Sequence, residues 1–169
     1  MNIFLRQGFT ETSSEIGSIV SDCFKLVRTS TDKLTKEKGI DFNFLTSTKA
    51  ETSESFKKSF TESTGLEFTA KNFRDYRLKQ IDETDLMIIF RTSLSESSAF
   101  ELAYNIFSER RAPVFFAIHE SAPIKTTLIR ELESELDINY IQFSKPEELS
   151  IPIHKFLLTH SMKSTLSYS

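Results

Sequence analysis

Five short apolar runs, separated by segments with helical periodicity, are the feature that most restricts how this chain can fold. The runs cover residues 2–5, 41–45, 85–90, 113–118 and 138–143. Several of them, such as "DLMIIF" at 85–90, are apolar at almost every position, which is typical of strands that are covered on both faces in a parallel sheet. The pattern therefore predicts strands that alternate with helices.

The segments between these runs carry apolar residues at intervals of three and four, the spacing of a helix with one buried face. Examples are Val20, Cys23 and Val27 early in the chain, and Phe100 and Phe107 later. Strands that alternate with helices predict an α/β fold, which we expect to be a single Rossmann-like domain with a mostly parallel five-stranded sheet flanked by helices. We assign residues 1–160 to this domain and residues 161–169 to a polar C-terminal tail.

Composition limits the function classes. The chain has 169 residues, 38% of them hydrophobic and 27% charged, with a net charge of -3. This mixture favours a folded domain and provides no broad basic surface for a nucleic acid polymer. A single cysteine excludes a disulfide framework. No stretch approaches the ~18 apolar residues of a spanning helix, and the N-terminus lacks a signal-peptide core, so we predict a cytoplasmic protein without membrane contact.

Ligands of parallel α/β sheets bind beyond the carboxyl ends of the strands, which directs attention to the residues that follow each apolar run. These are residues 6–10, 46–48, 91–98 and 119–121. The polar, Ser/Thr-rich segment 47–69 is either a lid over such a site or a solvated connection.

The helix start around Glu101 allows two interpretations. Ser98 and Glu101 have the spacing of a capping box, in which the serine and the glutamate each bond a backbone N–H of the first turn. A hydroxyl-rich loop that leads into a helix N-terminus also forms a group of N–H donors suited to an anion. Spacing alone leaves the structural and the functional interpretation equally open.

Several familiar motifs are absent from the sequence. It contains no HExxH, GxxxxGK[ST], GxGxxG or GxSxG, so we predict no metal, no cofactor and no hydrolase of the nucleophile-elbow type. In "RDYR", Arg74 and Arg77 lie three residues apart on one helical face. Such a pair is either an ordinary solvated face or an anion clamp.

Residues 77–118 resemble the core of the nucleoside 2-deoxyribosyltransferase superfamily, which also contains nucleoside 5'-monophosphate N-glycosidases. "TD" at 84–85 opens a strand, "SSAFE" at 97–101 is similar to the family's "GTAFE" or "GSAFE" helix start, and "APV" at 112–114 is similar to its "KPV" strand. The first strand, "IFLRQGF", is also similar to a family strand that is followed by a glycine and an aromatic residue near the base. We therefore expect Arg6, Gly8 and Phe9 to contact the substrate.

The resemblance implies that Glu101 is the nucleophile, which attacks the anomeric carbon of a ribosyl or deoxyribosyl N-glycoside. A carboxylate held at a helix start stabilises an oxocarbenium-like transition state or forms a covalent sugar intermediate. Phe100 and Leu102 are then expected to anchor the helix, while Ser97 and Ser98 meet polar parts of the substrate.

Two positions depart from the family pattern. Transferases that act on free nucleosides carry an Asp where Ser95 stands, whereas the nucleotide hydrolases of the superfamily have a Ser there that binds the 5'-phosphate. The resemblance therefore favours a phosphorylated substrate. The family's second Asp, which handles the base, aligns with Arg77. Either Asp75 supplies the catalytic acid through a shifted alignment, or Arg77 indicates a different substrate or a loss of activity.

The sequence thus predicts an N-glycosidase or ribosyltransferase that cleaves the base–sugar bond of a nucleoside 5'-monophosphate or a related N-glycoside. Two alternatives stay open: a TIR-like NAD glycohydrolase, and a nucleotide-sensing or binding protein without turnover. The expected partner is a small-molecule nucleotide or nucleoside, and the resemblance also implies a homodimer.

Overall fold

The structure is a computed structural model, and it describes residues 1–6, 14–46 and 53–166. Its strands are Asn2–Arg6 (β1), Asn43–Phe44 (β2), Leu86–Arg91 (β3), Val114–His119 (β4) and Ile138–Phe143 (β5). Its α-helices are Ser14–Lys38 (α1), Ser53–Thr64 (α2), Ala70–Asp82 (α3), Glu96–Phe107 (α4) and Ser150–Leu166 (α5). Short 3₁₀ helices at Thr127–Ile129, Leu132–Ser134 and Pro146–Leu149 flank β5 in the chain.

The five strands form one sheet in the order β2-β1-β3-β4-β5, and every pair is parallel. All five lie within the apolar runs or extend them by one residue, so the predicted α/β class and the five-stranded parallel sheet are confirmed. In this order the chain moves outward from β1 in one direction to reach β2, and in the other to reach β3. The carboxyl ends of β1 and β3 therefore border the point at which the direction of winding reverses, where open α/β sheets bind ligands.

Each face of the sheet is covered by its own hydrophobic cluster. On β3, Leu86, Ile88 and Phe90 belong to the cluster beneath α1 and α5, whereas Met87 and Ile89 belong to the one beneath α3 and α4. This alternation follows from the period of two in a strand. All six residues of β3 and of β4 are buried, as expected for central strands covered on both faces.

The same alternation decides which way β1 presents its last residue. Ile3 and Leu5 belong to the α1 and α5 face, while Phe4 belongs to the α3 and α4 face. Arg6, two residues after Phe4, therefore points to the side of the sheet on which α3 and α4 lie. Its guanidinium is buried there against α4.

The C-terminal part of the chain is helical further than the sequence analysis assumed. α5 continues to Leu166, six residues into the range assigned to a polar tail, and Ser161 is buried. Among the described residues, no helix is long and apolar enough to cross a membrane.

Candidate active site

Among the residues whose side-chain burial the structure describes, Glu101 is the only buried acidic residue. It lies in the second turn of α4 with 4% of its surface exposed. A buried carboxylate is costly unless charged or hydrogen-bonding partners surround it, so its neighbours define the site. α4 itself follows directly from the carboxyl end of β3, which places Glu101 beside the reversal point of the sheet.

Two arginines hold the two carboxylate oxygens of Glu101. The Nε of Arg6 donates to Oε2 at 2.9 Å, and the Nε of Arg77 donates to Oε1 at 3.0 Å. Arg6 comes from the end of β1 and Arg77 from α3, so three elements that are distant in sequence meet at one carboxylate. We call Arg6, Glu101 and Arg77 the buried triad, in which the side chain of Arg77 is the most exposed, at 13%.

The buried triad carries one negative and two positive charges. Burial lowers the pKa of the Arg77 guanidinium, and the neighbouring Glu101 carboxylate opposes that effect. A guanidinium keeps its proton under all ordinary conditions, so the triad has a net charge of about +1. A buried surplus of positive charge favours an anionic ligand nearby.

Ser95 caps α4 and is joined to the buried triad. Its Oγ accepts the backbone N–H of Ser98 at 3.3 Å, and it also accepts the Nη2 of Arg6 at 3.0 Å. The alternative of a capping box formed by Ser98 and Glu101 is therefore excluded. The helix begins at Glu96, one turn earlier than that motif requires, which leaves Glu101 free to face the arginines.

The remaining predicted residues of α4 divide by exposure. Ser98 is buried at the helix start, while Ser97 is exposed. Leu102 is buried and anchors the helix, as predicted. Phe100 does not, because 52% of its surface is exposed. The reason is the helical period: Glu101 and Leu102 face the sheet, so Phe100 points outward with Phe107.

Arg77 lies at the edge of an aromatic cluster. Its Cζ is 4.9 Å from the ring centre of Phe4 and 5.7 Å from that of Phe73, distances at which a cation is attracted to an aromatic face. Its Nη1 donates to Oε1 of Gln80 at 3.3 Å. Gln80 in turn donates to the backbone carbonyl of Leu45, just after β2. These are the contacts that Arg77 makes besides its bond to Glu101.

A cavity of about 60 Å³ opens beside Arg77. It is bounded by the end of β2, by α2 and by α3, and its lining residues are Leu45, Thr46, Phe56, Phe60, Ser63, Phe73, Tyr76, Arg77 and Gln80. Edge-to-face contacts join Phe60 of α2 to Phe68, in the connection that follows it, at 5.4 Å and to Tyr76 of α3 at 5.5 Å. Within the segment 47–69, α2 carries Phe56 and Phe60, and both residues are buried.

Residues at the ends of β3 and β4 extend the polar edge in a way that the sequence analysis did not assign. Arg91 is buried and its Nε donates to the backbone carbonyl of Ala122 at 2.8 Å. His119 is buried against Ser121, with its Nδ1 2.7 Å from the hydroxyl oxygen. Both residues directly follow an apolar run, at strand ends where parallel α/β sheets bind their ligands.

Asp75 lies apart from the buried triad. Its side chain is 53% exposed and pairs with Lys71, one turn earlier on α3. That contact lowers the pKa of Asp75. Arg74 is also exposed, so the interpretation of "RDYR" as a paired anion clamp does not hold, and Arg77 alone reaches the site. Gly8 and Phe9 lie outside the described residues.

Within the described ranges, no three His, Cys, Asp or Glu side chains are placed to bind a metal ion together. Every buried side-chain nitrogen and oxygen atom in that part of the chain has a hydrogen-bond partner. The site is therefore a satisfied network around one carboxylate.

Comparison with known proteins identifies a solved structure with the same fold. No protein-family model and no curated protein sequence matches the chain. The structure of CMP N-glycosidase BcmB from Clostridium botulinum is similar, with a TM-score of 0.58 and 14% sequence identity, over 94% of this chain and 99% of BcmB. At this identity the likeness shows a shared fold alone, a parallel α/β sheet flanked by helices.

Proposed function

We propose that this protein is an N-glycosidase that cleaves the base–sugar bond of a nucleoside 5'-monophosphate, with Glu101 as the nucleophile. The observation that carries the proposal is the position of Glu101, a single buried carboxylate held at both oxygens beside the reversal point of the sheet. The fold shared with a CMP N-glycosidase supports the same reaction class.

Arg6 acts as the positioning residue in this proposal. It holds Oε2 of Glu101 from a central strand and contacts the cap of α4 through Ser95. A carboxylate fixed in this way loses little further conformational entropy when it attacks the anomeric carbon, and this lowers the barrier of the reaction. The glycosyl ester that forms is then hydrolysed by water.

The 5'-phosphate is assigned to the start of α4. The first-turn N–H groups, the hydroxyls of Ser95 and Ser97, and the surplus charge of the buried triad together favour a dianion over a neutral nucleoside. Ser95 is already bonded to Arg6, so a phosphate that contacts it also lies within the electrostatic reach of the triad.

The alternative is a nucleotide-binding protein without turnover. Both oxygens of Glu101 are engaged by guanidiniums, and this favours a structural role for the carboxylate. A TIR-like NAD glycohydrolase uses a carboxylate on a corresponding helix, and it is separated from the leading proposal by its substrate alone.

Chromatography of released base tests these functions. We expect the wild-type protein to release base from at least one nucleoside 5'-monophosphate, and Glu101→Gln to lower the rate by roughly 10³-fold or more. Glu109→Gln is the matched control, since Glu109 is an exposed glutamate just beyond the C-terminal end of the same helix. The panel also contains the free nucleosides and NAD.

The outcomes separate the three functions. Cleavage of NAD alone supports the TIR-like glycohydrolase. Intact nucleotide recovered from a stable complex, with no base released by any variant, supports the binding protein. Equal rates for Glu101→Gln and the wild-type protein would contradict the role of Glu101.

We also propose that the protein forms a homodimer, as the resemblance implies, through the exposed apolar face of α4. Phe100 and Phe107 lie two turns apart on this face, and Phe107 is 84% exposed. Light scattering after chromatography is expected to give twice the monomer mass for the wild-type protein and the monomer mass for Phe107→Lys. The cytoplasmic location stays a prediction.

A further inference from the structure

The buried triad contains one more cation than its carboxylate can neutralise. A pair of one Arg and Glu101 is already complete, because a single guanidinium can balance the charge of the carboxylate. The second guanidinium must therefore be stabilised by other contacts, or serve a charge that appears only with the substrate. Which of the two arginines is the second one follows from their surroundings.

Arg6 and Arg77 are held in different ways. Arg6 is on a central strand, and its two side-chain bonds go to Glu101 and to the cap of α4. Arg77 comes from α3, lines the cavity and rests on the faces of Phe4 and Phe73. Its bond to Gln80 is long, at 3.3 Å. Arg77 can thus leave Glu101 while Arg6 keeps the carboxylate paired.

We propose that Arg77 transfers its hydrogen bond from Glu101 to the departing base and so stabilises the negative charge of the leaving group. This inference rests on the proposed function. The nucleobase that Arg77 recognises must carry an acceptor oxygen or nitrogen close to the glycosidic nitrogen. The negative charge of the leaving base spreads onto that acceptor. The planar guanidinium presents two parallel N–H donors, which can bond the glycosidic nitrogen and this neighbouring acceptor together.

The step balances without a protein acid. Oε1 of Glu101, released by Arg77, forms a bond to C1' as the C1'–N bond breaks, and the electron pair of that bond goes to the base. Arg77 stabilises the resulting anion by hydrogen bonding, since a guanidinium does not give up its proton. Water then attacks C1', Glu101 leaves as a carboxylate, and the proton lost by water neutralises the base.

The same transfer activates the nucleophile. While Arg77 is bonded to Oε1, its charge withdraws electron density from that oxygen. When the guanidinium turns to the base, Oε1 is free and Oε2 stays on Arg6. One movement thus exposes the nucleophile and stabilises the leaving group.

A comparison of leaving groups tests the inference. The two substrates are the best nucleoside 5'-monophosphate of the panel and 4-nitrophenyl β-D-ribofuranoside 5-phosphate, whose phenolate departs without assistance. We expect Arg77→Gln to lower kcat for the nucleotide by about 10²–10³-fold, the usual effect of removing one such donor, and kcat for the nitrophenyl substrate by less than about 3-fold. Arg74→Gln, at an exposed position on α3, is the control.

Each other outcome overturns a different claim. If Arg77→Gln slows both substrates equally, Arg77 only positions Glu101, and the leaving-group role is wrong. If it slows neither, Arg77 has no part in the reaction. If the wild-type protein cleaves neither substrate, the proposed function fails together with the inference. Thermal unfolding of each variant separates a loss of activity from a loss of fold.

Discussion

Glu101 and Asp75, the two carboxylates that the sequence offered as catalytic groups, have opposite environments. Glu101 is 4% exposed and bonded to Arg6 and Arg77, whereas the side chain of Asp75 is 53% exposed and bonded to Lys71. Each carboxylate forms an ion pair with a basic side chain. Only the pair at Glu101 is withdrawn from water, and this determines how strongly the loss of one partner affects stability and activity.

The difference follows from solvation. An exposed ion pair is screened by water and ions, and its partners gain little from meeting. A buried pair has lost its hydration, so removing one partner leaves a charge that nothing else compensates. The buried triad is therefore a position at which small chemical changes are expected to have large effects, and the outer face of α3 is one at which they are not.

The largest effect is expected from Glu101→Gln. It leaves the guanidiniums of Arg6 and Arg77 buried together without an anion, and we expect a loss of about 3–5 kcal/mol in the free energy of unfolding. Urea denaturation monitored by circular dichroism measures the loss. A change below about 1 kcal/mol would show that water reaches the triad.

A double variant sharpens the same comparison. Replacing Glu101 and Arg77 together, as Glu101→Gln with Arg77→Met, removes one surplus cation along with the anion. We expect it to recover at least half of the stability lost in Glu101→Gln, because a coupled pair of buried charges is not additive. Activity is expected to stay absent. If the double variant is less stable than Glu101→Gln, Arg77 is held by its aromatic neighbours rather than by the carboxylate.

Ser95→Ala is expected to have an intermediate effect. The substitution removes the cap of α4 and one partner of Arg6, and loss of an N-cap costs about 0.5–2 kcal/mol. If Ser95 also binds the 5'-phosphate, the substitution raises KM for the nucleotide and leaves KM for the free nucleoside unchanged. Ser97→Ala is the control, because it removes a hydroxyl from the same exposed first turn without removing the cap. An equal loss of stability in both variants would contradict the role of Ser95 as the cap of α4.

The smallest effect is expected from Asp75→Asn. The hydrogen bond from Lys71 lowers the pKa of Asp75, so its contribution to stability is present above the ordinary pKa of an aspartate and is lost as the pH falls through the lower folded value. Because the pair is exposed, we expect unfolding midpoints at pH 7 that differ by no more than the error of the measurement. Base release is expected to stay within about 2-fold of the wild-type rate. A loss of activity of 10²-fold or more would instead support Asp75 as the acid.

The strands were predictable because their signal is local. A run such as "DLMIIF" is apolar at nearly every position, and only a strand covered on both faces buries all of it. All six residues of β3 are indeed buried. Ser95 and Glu101 were also assigned from their order in the chain, through the helix start that they share.

The ends of helices were less predictable, because competing caps are close in sequence. Ser95 and Ser98 both fit a cap by composition, and the structure selects Ser95, whose hydroxyl also meets Arg6. That contact joins residues that are 89 positions apart in sequence. Phe100 was assigned to the core for the same reason, since the orientation of a helix depends on where its first turn begins.

The sequence by itself determined the alternation of strand and helix, the parallel sheet and the serine-rich approach to Glu101, because each depends on neighbouring residues. Only the tertiary structure decided that Arg6 and Arg77 share one carboxylate and that Asp75 remains at the surface. The physical reason is that burial and charge pairing depend on which elements meet in space. The sequence fixes which carboxylates the chain contains, and the packing of β1, α3 and α4 decides which of them is removed from water.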